Sequence, residues 1–94
     1  MVTADAGNQV PVRLAFHARD GQPGLSAIMI NMSADDLDAR VEAVNPTTHL
    51  RSVVDVSLHG HQRKTLTDAG LEVAEGSQVT VESPPYRDFV VQAQ

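Results

Sequence analysis

The twelve residues Ser33–Val44, SADDLDARVEAV, decide which kind of fold the chain makes. Ser33 followed by Asp36 resembles a capping box with Asp in place of the usual Glu, and Asp35 and Asp36 both suit the positive end of a helix dipole. Leu37, Val41 and Val44 fall at i, i+4 and i+7 on one face, while Asp38 and Glu42 point elsewhere, so the stretch predicts a short amphipathic helix. Asn45-Pro46 ends it, because proline cannot continue the hydrogen-bond ladder and disfavours helical geometry at the residue before it.

The segments on either side read as strands. Val10, Val12, Leu14, Phe16 and Ala18 alternate with Pro11, Arg13, Ala15, His17 and Arg19, the period of a strand with one buried face and one cationic wet face. Asp20-Gly21-Gln22-Pro23-Gly24 supplies turn chemistry for a hairpin. Leu25–Met32, LSAIMINM, is apolar on both faces and reads as a central strand covered on both sides. Leu50–Leu58 is the next strand, with Val54, Val56 and Leu58 on one face and Asp55 and Ser57 on the other. Thr65 or Thr67 caps a helical turn that closes at Gly70. Glu75-Gly76-Ser77 reads as a turn, Val79–Glu82 alternates again, Ser83-Pro84-Pro85 breaks the pattern, and Arg87–Ala93 makes a last strand with Phe89, Val91 and Ala93 on one side. The order ββαβ, a helical turn, then ββ predicts a small, β-rich α+β domain with a mostly antiparallel sheet.

Ninety-four residues suffice for one hydrophobic core, so a single domain over residues 1–94 is expected, with residues 1–9 flexible. Two Phe, one Tyr and no Trp make that core aliphatic and leave few aromatic faces on which bases can stack. A formal net charge of −5 also disfavours a phosphate backbone as partner. The charge is blocked along the chain: cationic from Arg13 to Arg19, anionic from Asp35 to Glu42, cationic from Arg51 to Lys64, and anionic from Asp68 onward. The absence of cysteine removes disulfides, thiolate catalysis and cysteine zinc sites. No apolar run reaches the roughly 20 residues of a membrane helix, and the first nine residues lack the order of a signal peptide. A cytoplasmic protein without a membrane partner is expected.

The chemistry-bearing residues cluster in Val53–Lys64, VVDVSLHGHQRK. A strand continued to His61 places Asp55, Ser57, His59 and His61 in one row. Neighbours at i and i+2 stand about 6.5–7 Å apart, so the imidazoles of His59 and His61 are candidate metal ligands, with Asp55, His17 and His49 as residues to complete the set. The Asp55, Ser57 and His59 order does not make a hydrolase. Nucleophilic serines sit on strained turns with oxyanion donors, whereas Ser57 has β-branched or bulky neighbours inside a strand. Gly60 marks a bulge or a close approach of a ligand or backbone, and Arg63 and Lys64 beyond it are placed to meet an anion.

Asp55-Val56-Ser57-Leu58-His59-Gly60 resembles the D/N-x-S-x-x-G motif of the PilZ family, small β-barrel domains that bind cyclic di-GMP. The earlier stretch from Val10 to Leu37 is similar to the family's opening, with Asn31 and Ser33 in the motif's polar positions. The resemblance implies that Asp55 and Ser57 contact a guanine base and that Gly60 permits close approach, with Arg13, Arg19 or Arg51 on the anion. The sequence departs from the family in having no Arg-x-x-x-Arg pair and in carrying Asp36 where the Asn31 version needs glycine. Residues 66–83, LTDAGLEVAEGSQVTVES, are also similar to the helix-turn-strand piece of AbrB-like and SymE-like swapped-hairpin proteins.

The expectation is a non-enzymatic protein-interaction or assembly module without a cofactor, either a homo-oligomer or a small component of a bacterial or phage complex. Separated charge blocks and strand edges carry that expectation. The alternative is a PilZ-like regulatory domain recognising a cyclic dinucleotide, with Asp55, Ser57, Gly60, Arg51 and Arg63 as ligand-binding residues. Nucleic-acid binding through Arg51, Arg63 and Lys64 stands third.

Overall fold

In the computed structural model, which describes residues 9–84 and 86–94, the chain forms seven strands and, among the described residues, no helix. These are β1 (Val12–Ala18), β2 (Leu25–Asn31), β3 (Leu37–Val44), β4 (Arg51–Leu58), β5 (Arg63–Thr65), β6 (Gln78–Glu82) and β7 (Phe89–Gln92). They make two antiparallel sheets, one ordered β1-β2-β5 and the other β4-β3-β6-β7. The fold is therefore an all-β domain, and the expected α+β class is wrong. Of the first nine residues, expected to be flexible, all but Gln9 lie outside the described residues, as does Pro85.

The difference from the expected class lies in SADDLDARVEAV. Leu37, Ala39, Val41 and Ala43 are buried, and Asp38, Arg40 and Glu42 alternate with them toward the outside. That is a period of 2, visible only when the two alanines count as apolar. A helix of this length buries one narrow stripe. As a strand the segment pairs on both edges, with β4 (Val41 opposite Val54) and with β6 (Val41 opposite Val81), and it becomes a central strand of its sheet. Those pairings outweigh the weak local preference for helix. Ser33, read as a cap, instead closes a local turn: its backbone N–H donates to Asn31 Oδ1 at 2.9 Å, and its hydroxyl lies 2.8 Å from the same oxygen.

The helical turn expected after Thr65 is also absent. Thr65 ends β5, and residues 66–70 form consecutive turns in which Ala69 N–H bonds Leu66 O and Gly70 N–H bonds Thr67 O. Gly70 does hold positive φ, 108°. Thr67 does not cap a helix, since its hydroxyl oxygen accepts the N–H of Ala27 at 2.9 Å and so extends the edge of β2.

The remaining strands follow their alternation. β1 and β2 pair as a hairpin from Val12 opposite Asn31 to Ala18 opposite Leu25. The inward residues of both sheets share one aliphatic core that includes Ala27, Met29, Val41, Leu58, Leu66, Leu71, Val79 and Val81. Full burial of a Leu or Met side chain contributes about 1.5–3 kcal/mol, which makes this layer the main source of stability. β2 differs from expectation. Leu25, Ala27, Met29 and Asn31 face the core, whereas Ser26, Ile28 and Ile30 are half-buried on the other side, and no described strand lies over them.

Candidate functional site

β4 is an edge strand, and its outward residues lie beside those of β3 in an antiparallel register. Asp55 stands opposite Arg40 and accepts from its Nε at 3.2 Å. Ser57 stands opposite Asp38, and its hydroxyl donates to the carboxylate at 2.6 Å. One step further, His59 Nδ1 is 3.3 Å from Asp36 Oδ1. At the other end, the guanidinium of Arg51 donates through Nε to Glu42 at 3.0 Å and also pairs through Nη2. The polar stripe is thus half of a cross-strand ladder in which each member has a partner on β3 or just before it. The ion pair of Asp55 with Arg40 is well exposed and stabilises by no more than about 1 kcal/mol.

The row does not reach His61. β4 ends at Leu58, and residues 59–62 turn toward β5 in the other sheet. Gln62 N–H bonds His59 O at 3.0 Å, and the His59 N–H donates to Gln62 Oε1 at 2.8 Å. His61 holds positive φ, 60°, with its N–H on Ser33 O, so it leaves the strand geometry that was to align it with His59. His17 lies on the outer face of β1, and His49 lies in the β3–β4 turn at the opposite end of β4. Among the described residues, no group of three or more His, Asp or Glu is arranged to hold a metal ion.

Gly60 is a close-approach glycine, and what approaches is the backbone of this chain. A Cβ there would overlap the carbonyl of Ala34. The other ligand candidates are divided between the sheets. Asp55, Ser57 and Arg51 are on the outer face of the four-stranded sheet, while Arg63 is on the three-stranded one, opposite Ile30. The hollow that contains Asp55 and Ser57 also holds Asp38, Glu82 and a single arginine, Arg40. Three carboxylates around one guanidinium oppose an anionic ligand.

The residues least expected from sequence lie on the outer face of β1-β2-β5. Arg13, Ile30 and Arg63 form one lateral row, and Ala15, Ile28 and Thr65 the next, with His17 beside Ser26 in a third. Met32, just past β2, is 50% exposed. This face has an apolar centre and a cationic rim. The signal for it was present in LSAIMINM, whose two apolar faces call for two covering layers.

No family model, no curated protein and no solved structure matches this chain.

Proposed function

We propose that the protein is a non-catalytic protein-interaction module and that the outer face of the β1-β2-β5 sheet is its docking surface. The observation that carries this reading is the outward placement of Ile28 and Ile30 at the centre of a sheet face over which no described strand lies. Contiguous apolar surface with a polar rim marks interaction sites in soluble proteins, and arginine is among the residues enriched at interfaces. On the opposite side of the molecule, Asp55, Ser57 and Arg51 are engaged by β3 partners, which supports a role in joining strands over one in chemistry.

A photo-crosslinking side chain at position 28, compared with one at Gln22 in the β1–β2 turn, tests the reading in the cells that make the protein and in the purified chain. Discrete crosslinked protein species from position 28 alone are expected. Equal yields from both positions would sink it. A melting temperature raised by cyclic di-GMP, with the rise lost in Asp55→Ala, would favour the regulatory-domain alternative instead.

A further inference from the structure

The geometry points to a second copy of this chain as the partner: the outer face of its β1-β2-β5 sheet docks on the outer face of the β4-β3-β6-β7 sheet of the next copy, head to tail. This rests on the reading of the protein as an interaction module and names what it binds.

The two faces are complementary in charge, and both carry outward-facing apolar groups, half-buried on the first and exposed on the second. The first has Ile28, Ile30 and Ala15 in the middle, Arg13, Arg63 and His17 around them, and no carboxylate on its strands. The second carries Asp38, Glu42, Asp55 and Glu82 against Arg40 and Arg51, a surplus of acid on its three inner-to-edge strands β3, β4 and β6. Across its middle runs the lateral row Val53, Glu42, Thr80 and Val90, whose two ends are 47% and 53% exposed. Because the two sheets share one core, these faces point away from each other, and each copy offers one of each.

A two-fold dimer through the first face alone is the competing arrangement. With its axis over Ile30, between the two arginines of that row, it would press Arg13 and Arg63 of one copy toward the same arginines of the other, and like charges brought together in an interface are penalised. Pairing unlike faces removes that penalty. Such a contact is heterologous, so each docked pair leaves one face of each kind free, and association continues into a ring or an open stack.

The two arrangements respond oppositely to salt. Attraction between unlike faces is screened as ionic strength rises, whereas a two-fold apolar dimer with facing arginines is relieved by the same screening.

The test is absolute mass by light scattering on the full chain over a concentration series, at low and high salt, with two surface variants. Arg13→Glu/Arg63→Glu reverses the rim of the first face, and Val53→Lys/Val90→Lys places cations on the second. Thermal melts confirm that both remain folded. Wild-type mass should rise with concentration, and the apparent dissociation constant should weaken at least about tenfold between about 0.05 M and about 0.5 M salt. Each variant alone should be monomeric. Mixed in equal amounts, they should form dimers, since each retains the face that the other has lost.

A wild-type chain that stays monomeric overturns the self-docking, and a crosslink from position 28 to a different protein would then leave the interaction reading in place. Association that strengthens with salt, or a mixture that stays monomeric beside an associating wild type, also overturns the head-to-tail contact, while self-assembly as such survives.

Discussion

The carboxamide of Asn31 donates to the carbonyl of His59 at 3.0 Å, and so ties the end of β2 in one sheet to the segment that leaves β4 in the other. The same nitrogen donates to Asp35 O at 2.7 Å, while Oδ1 accepts from the backbone and side chain of Ser33. Asn31 is completely buried, and both ends of its amide are satisfied. No charged or apolar residue of that size reproduces this set of two donors and one double acceptor.

Asn31→Ala should therefore lower the unfolding free energy by about 2 kcal/mol, since it strands the carbonyls of Asp35 and His59 and the N–H of Ser33. Asn31→Asp should cost more, about 3 kcal/mol or above, because a carboxylate oxygen then faces two carbonyl oxygens in a buried site. Urea titrations of the two variants give both numbers. An Asp variant as stable as wild type would mean that the amide does not hold the sheets together.

Gly60 and Gly21 separate close approach from backbone conformation. At Gly60 an added methyl group meets the Ala34 carbonyl, whereas Gly21 holds φ 67° with open space around it. Gly21→Ala should cost about 1–2 kcal/mol from left-handed strain alone. Gly60→Ala must push two backbone segments apart, and overpacking of that kind costs about 1–3 kcal/mol even where side chains can yield. The melting temperature should fall further for Gly60→Ala, and the reverse order would show that the 33–35 turn gives way freely.

Ala39 distinguishes the observed strand from the helix that its neighbours suggest. On a helix with Leu37, Val41 and Val44 inward, Ala39 lies off the apolar stripe and a charge there is tolerated. On β3 it is 6% exposed, opposite Val56. Ala39→Glu should then leave the chain unfolded or weaken it by several kcal/mol, since a buried unpaired charge is among the costliest substitutions. Asp38→Ala, one residue earlier and outward, should cost about 1 kcal/mol, the worth of the Ser57 hydroxyl bond. Circular dichroism of the wild type should show strand without helix.

This pair of residues also shows why part of the fold was legible in the sequence and part was not. Where alternation was carried by large side chains, as in Val54, Val56 and Leu58 against Asp55 and Ser57, the strand and its faces were readable. In β3 the alternation passes through Ala39 and Ala43, which are neutral to the eye and strong helix formers, and Leu37, Val41 and Val44 happen to fit a 3.6-residue period as well. Only pairing with β4 and β6, distant in sequence, decides between the periods. The polar stripe behaves in the same way: alternation puts Asp55 and Ser57 on the outward face, but the strand end at Leu58 depends on the Asn31 amide and the Gly60 contact with Ala34, neither of which spacing reveals.

Asp55 and Arg40 provide the last measurement. Their side chains are 76% and 62% exposed at 3.2 Å, so solvent screens most of the attraction and ordering two flexible side chains offsets part of the rest. A double-mutant cycle through Asp55→Ala and Arg40→Ala should give a coupling below about 1 kcal/mol, further reduced at high salt. The unpaired Asp55→Ala variant should keep its melting temperature within a few degrees of wild type, as surface substitutions do. A coupling of about 2 kcal/mol or more would place the pair in a drier setting than a free sheet face. Measured again over the concentration series that tests the proposed head-to-tail contact, the same cycle reports whether that face becomes covered, because removing water strengthens the pair without changing its distance.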